Sequence, residues 1–151
     1  MSLRFPYRRF RVKHPLLTLG GRIERPRPVI GVTVIGPADT RYIHALLDTG
    51  ADDTIFPDAL AVKLGIDLTD APVINGAGLG MMTYSIRLAE VTLRVADINE
   101  RREWRACAGF ASAPLRQPLL GHAGFLQFFT TAFHGDLEEV ELTVNANYPG
   151  S

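Results

Sequence analysis

The sequence predicts an all-β domain carrying one or two short helices. Three observations lead there. Beyond residue 28, β-branched and apolar residues alternate with polar ones at period two along most of the chain. Clusters of Gly, Pro, Asp and Asn punctuate these runs at short intervals. Only the stretches 58–64 and 123–131 group their apolar residues as a helix would.

Taken in order, Val29-Ile30-Gly31-Val32-Thr33-Val34-Ile35 reads as a strand, Gly36-Pro37-Ala38-Asp39 as a turn, and Tyr42 to Leu47 as the returning strand. That strand runs straight into Asp48-Thr49-Gly50. After the short apolar run Thr54-Ile55-Phe56, residues Asp58 to Leu64 form a helix, with Asp58 in the cap or first turn and Gly65 just past its end. Val73-Ile74 and Met82 to Leu88 flank a glycine-rich tip, Asn75-Gly76-Ala77-Gly78-Leu79-Gly80, as a long hairpin. Val91, Leu93 and Val95 mark a half-buried strand, Asp97 to Glu100 a turn, and Glu103 to Phe110 a return strand. Leu119-Leu120-Gly121 is a short buried run. Ala123 to Thr131 reads as a second helix burying Phe125, Leu126, Phe128 and Phe129, and Val140, Leu142 and Val144 as a last strand.

The 151 residues suit one domain, here 29–151, preceded by a basic arm, 1–28. The arm holds Arg4, Arg8, Arg9, Arg11, Lys13, Arg22, Arg25 and Arg27 against Glu24 alone, a net charge of +7. The whole chain is neutral, so the rest carries −7. The arm is expected to pack on its own body or on a partner subunit. Phe5, Tyr7 and Phe10 interleave the arginines, but no nucleic-acid module is recognisable, so nucleic acid is not an expected partner. Cys107 is the single cysteine; it forms no intrachain disulfide and is expected to pack as a small apolar residue. No run reaches the ~18 apolar residues of a membrane span, and Pro15-Leu16-Leu17-Thr18-Leu19 is too short for a signal-peptide core. These features point to a reducing, cytoplasmic setting.

One segment carries chemistry. Peptide hydrolysis without a metal or a nucleophilic side chain needs a base for water and an acid for the leaving amine. Two carboxylates held close do both, because they cannot both ionise and so share a proton. A carboxylate at a rigid strand end, followed by a small hydroxyl and a glycine that admits a peptide backbone, suits that task. Asp-Thr-Gly alone is also ordinary turn chemistry. Its context in Ala45-Leu46-Leu47-Asp48-Thr49-Gly50-Ala51-Asp52-Asp53-Thr54-Ile55 is what distinguishes it.

That segment resembles the catalytic stretch of the retropepsin-like aspartic proteases. The helix, the glycine-rich hairpin in the place of the family's flap, and Leu119-Leu120-Gly121 in the place of its second apolar-apolar-Gly element follow in order, so the resemblance spans about residues 29–145. It implies the closed acid-protease β-barrel and an aspartic endopeptidase. Asp48, Thr49 and Gly50 would form the catalytic loop, with Thr49 bonding across a dimer axis. Ala51, Asp52 and the flap residues Asn75, Gly76, Ala77, Gly78, Leu79 and Gly80 would meet a polypeptide substrate. Only one Asp-Thr-Gly occurs, and the chain is about half the length a two-lobed enzyme of this kind needs, so the active form would be a homodimer. Neither cofactor nor metal is expected, since His14, His44, His122 and His134 are scattered.

The sequence departs from retroviral members after Leu120-Gly121, where His122-Ala123 replace Arg and an Asp or Asn; the two readings are an Asp52–His122 pair, within one subunit or across the interface, and a His122 that faces solvent and pairs with nothing. Gly76-x-Gly78-x-Gly80 lacks the following helix a dinucleotide loop needs. Asp53 is expected at a solvated edge and Trp104 in the core or an interface. The competing reading is a non-catalytic dimerisation or peptide-binding module that keeps the fold.

Overall fold

A computed structural model describes residues 1–77 and 83–150. The strands run in the order β1 (Ser2–Pro6), β2 (Arg8–Leu16), β3 (Arg22–Arg27), β4 (Val29–Ile35), β5 (Thr40–Leu47) and β6 (Ile55–Pro57). Helix α1 (Asp58–Leu64) comes next, then β7 (Val73–Ala77), β8 (Thr83–Ala96), β9 (Arg101–Ala111), β10 (Leu119–Leu120), β11 (Phe129–His134) and β12 (Glu139–Val144).

The main sheet has seven strands in the order β4-β5-β10-β6-β9-β8-β7, and a further pairing of β4 with β8 closes it into a barrel with β7 outside the ring. Alternation explains which side faces in: Val32 and Val34 of β4, Ala45 and Leu47 of β5, and Val91, Leu93 and Val95 of β8 are buried. Helix α1 covers one end with Leu60, Ala61 and Leu64. It stops at Gly65, whose φ of 73° lets its N–H reach the carbonyls of Ala61 and Val62. A three-stranded sheet, β1-β12-β11, packs Leu3, Phe5, Val140 and Leu142 into the same core. Trp104 sits there at 2% exposure, ringed by Phe125, Phe129 and Tyr148, and donates its indole N–H to the Gly124 carbonyl at 3.0 Å.

Three local expectations need correction. Residues 123–131 are not a helix: one 3-10 turn, Leu126–Phe128, leads directly into β11. Gly124 takes φ 89°, and pairing of Phe129 with Val144 outweighs the helical spacing of the aromatics. Cys107 is exposed on β9 rather than packed inside. The long hairpin's second arm and the strand of Val91 to Val95 are one 14-residue strand, β8.

Within residues 1–28 the sequence reading placed no strand, and three are present. Leu3 and Phe5 alternate with Arg4 and Pro6, a period-two signal obscured by the surrounding arginines and prolines. Beyond them, among the described residues, β2 and β3 pair only with each other, as a two-stranded ribbon. Arg9 and Arg22 tie this ribbon to Glu138, while the Tyr7 N–H donates to the Glu138 carbonyl at 2.7 Å.

Candidate active site

Strand β5 carries the chain to Asp48, and the segment 118–123 passes beside the loop that follows. Five backbone hydrogen bonds of 2.8–3.1 Å join them: Leu46 N–H to Pro118, Asp48 N–H to Leu120, His122 N–H to Ala51, Ala123 N–H to Asp52 and Thr54 N–H to Ala123. The loop is therefore fixed by its backbone, as a rigid support for a carboxylate requires. Asp48 is half-buried and accepts the Gly50 N–H on Oδ1 at 2.9 Å. That bond ties the carboxylate to the backbone of its own loop. Thr49 and Gly50 are exposed at the tip of the loop.

Asp48 opens into a cleft of about 590 Å³. One wall is the loop, through Gly50, Ala51, Asp52 and Asp53; the opposite wall is the β7–β8 hairpin, through Asn75, Gly76 and Tyr84; Ile55, Ile74, Ile86 and Leu119 supply the apolar surface. Ile74 and Ile86 are cross-strand partners, as are Gly76 and Tyr84. A Cβ on Gly76 would lie 2.7 Å from Ile86 Cδ1 and 2.9 Å from the Tyr84 ring, so the glycine leaves the space these two side chains occupy.

Of the residues expected at the site, the structure brings Asp48, Gly50, Ala51, Asp52, Asn75 and Gly76 to one cleft. Thr49 is on the loop tip beside it. The Ala77 backbone pairs with Thr83 near the end of the hairpin. Gly78, Leu79 and Gly80 lie outside the described residues. Asp53, expected at a solvated edge, also faces the cleft, although its backbone bridges to Ala123. Tyr84, Ile55, Ile74, Ile86 and Leu119 were missed. Period-two alternation along β8 puts Tyr84 and Ile86 on one face and could have found two of them.

The Asp52–His122 ion pair is absent within the chain: both residues are exposed, and among the described residues neither takes part in an ion pair. The backbone bonds from His122 to Ala51 and from Ala123 to Asp52 do the bracing instead. Among the described residues no three His, Cys, Asp or Glu side chains are grouped to hold a metal ion.

Residues 30–121 match the family model described as aspartyl protease, and this is more than half of the chain. The chain belongs to the aspartyl protease family. Among solved structures it is similar to the EIAV protease complexed with the inhibitor HBY-793, at 20% identity, with 64% of this chain and 82% of that chain covered and a TM-score of 0.38. No curated protein matches.

Proposed function

We propose that this chain is an aspartic endopeptidase whose active form is a homodimer, with water activated between the Asp48 carboxylates of two protomers. The observation that carries this reading is half a site. One Asp48 stands at the mouth of a cleft of peptide-binding size, and the next residue, Thr49, is exposed where a second copy of the loop would meet it. Two carboxylates brought together on a two-fold axis would hold a single proton between them. The ionised member takes a proton from water as the oxygen attacks the scissile carbonyl carbon. The protonated member donates to the carbonyl oxygen. The tetrahedral diol then collapses: one hydroxyl returns its proton to the carboxylate that is now ionised, the C–N bond breaks, and the amine leaves with the proton held by the other. Gly50 leaves room for substrate backbone, and Asn75 to Gly80 would close over it and exclude water.

The substrate in this reading is a polypeptide, bound in extended form along the apolar side of the cleft. A reducing, cytoplasmic location belongs to the same reading and rests on the single Cys107. Among the described residues no helix is long and apolar enough to cross a membrane.

The test is cleavage of an unfolded protein by wild type and by Asp48→Asn. Wild type should cleave with a bell-shaped pH dependence, since the pair must hold one proton, and Asp48→Asn should keep fold and dimer but lose activity. Wild-type dimers that bind peptides without cutting them would favour the peptide-binding module; equal cleavage by both proteins would remove Asp48 from the mechanism.

A further inference from the structure

We infer that the β2–β3 ribbon of one protomer docks on the acidic segment 48–70 of a second copy, so that the two ribbons clasp the dimer around its paired catalytic loops. This rests on the homodimer proposed above. The ribbon has two unlike faces. In its register Arg8 is opposite Arg27 and Phe10 is opposite Arg25, and Ile23 alternates onto the same face. That face thus combines three guanidinium groups with two apolar side chains and no carboxylate. Arg9 and Arg22, the ribbon residues that are ion-paired among those described, both turn to Glu138 of their own chain. Among the described residues Arg8, Arg25 and Arg27 take part in no ion pair, and Ile23 is 47% exposed.

The complementary charge lies just beyond the catalytic loop. Asp48, Asp52, Asp53, Asp58, Asp67 and Asp70 face only Lys63 within the segment 48–70, and among the described residues none of these carboxylates is in an ion pair. The carboxylates that are paired lie elsewhere, on β8, the β8–β9 turn, β9, the β11–β12 turn, β12 and the β4–β5 turn. A net positive face and a net negative segment thus occur on the same chain without neutralising each other.

Position selects the occupant. The ribbon ends at Pro28, whose carbonyl accepts the Leu47 N–H at 2.9 Å, one residue before Asp48. At its other strand Arg8 is close enough to His44 of β5 to help hold the imidazole pKa down. The basic face is rooted where β3 gives way to β4, beside the strand end that carries Asp48, and the acidic segment follows that loop along the chain. Two-fold symmetry then presents each ribbon to the partner's acidic segment, in two equivalent contacts. An anionic lipid surface or a nucleic acid offers the charge but has no such fixed place beside the axis.

The experiment uses the full chain in two charge-reversed forms. One carries Arg8→Glu, Arg25→Glu and Arg27→Glu; the other carries Asp58→Lys and Asp70→Lys, leaving the cleft residues untouched. Thermal unfolding verifies that each folds, and Arg25→Gln alone serves as a milder variant. Dimer dissociation constants come from sedimentation at low and high salt. Each reversed form alone should dissociate about tenfold more readily than wild type at low salt, and Arg25→Gln should shift the same way by less. An equimolar mixture of the two reversed forms should dissociate less readily than either form alone, because one of the two contacts in the mixed dimer again sets the native basic face against the native acidic segment. A wild-type dimer whose affinity none of these changes alters overturns the inference while leaving the protease reading intact. So does a mixture that is no tighter than either reversed form alone. Wild type that binds phosphatidylserine vesicles or single-stranded RNA through the three arginines, with dimer affinity unaffected by their reversal, overturns it in favour of that ligand. A wild type that never dimerises removes both.

Discussion

Gly121 passes directly against the backbone of Asp53: a Cβ at Gly121 would stand 2.2 Å from the Asp53 carbonyl oxygen and 2.7 Å from that of Ala51. The crossing of segment 118–123 behind the Asp48 loop depends on this contact, because the five backbone bonds that hold this loop form only if the two segments lie this close.

Gly121→Ala should therefore be severe. The atoms in the way are backbone, with no flexible side chain to swing aside, so the loop must move or the bonds must break. The expected loss is about 3 kcal/mol or more, read as a lower urea midpoint, together with loss of peptide cleavage. Gly135→Ala is the control, since a Cβ there meets nothing within 4 Å, and it should change stability by less than about 0.5 kcal/mol.

His44 should make the fold acid-sensitive. Partial burial, and then the positive charge of Arg8, hold its pKa below the ordinary 6.5. The unfolded chain then binds a proton at a higher pH than the folded one. Stability is full above the ordinary histidine value, declines as pH falls through it, and levels off below the depressed folded value. Urea midpoints between pH 8 and pH 5 should show this decline in wild type and a shallower one in His44→Gln. Identical slopes would show that His44 does not set it.

Glu138 works in the opposite sense. A hydrogen bond from Arg22, and another from Arg9, hold its carboxyl pKa below the ordinary 4.5 despite some desolvation. Its contribution is present above the unfolded value and is lost as pH falls through the depressed folded value. Glu138 also takes φ 49°, a backbone region that a side chain rarely adopts. In Glu138→Gln the backbone bond from Tyr7 survives but both ion pairs go. Amide exchange over residues 8–27 should quicken at neutral pH, while the barrel strands stay protected. Unchanged exchange in the ribbon would mean that the two arginines do not anchor it.

The legible part of this protein was what repeats at period two or is spelled by turn residues. The β4–β5 hairpin, α1 with its Gly65 stop, and the β8–β9 pair follow from alternation and punctuation. The grouping of Asp48, Gly50, Ala51, Asp52, Asn75 and Gly76 at one cleft follows from one local segment and its resemblance to a known family, while the apolar wall of that cleft does not. What failed was set by tertiary context. The aromatics of 123–131 have helical spacing, but they pack around Trp104 from a 3-10 turn and a strand. Cys107 stands on β9 between the buried Ala106 and Ala108, and only the pleat decides that it faces out. Asp52 and His122 lie on segments that are adjacent through backbone bonds, a relation no side-chain chemistry in the sequence reveals.

The central claim is that catalysis needs two Asp48 carboxylates from two chains. It is tested most directly by mixing wild type with Asp48→Asn at fixed total concentration, letting subunits exchange, and measuring peptide cleavage against the wild-type fraction. If only dimers with both aspartates cut, activity follows the square of that fraction, and an equal mixture retains about a quarter of the wild-type rate. Activity that falls in simple proportion, with about half retained in the equal mixture, would show that one Asp48 suffices and would contradict the paired mechanism.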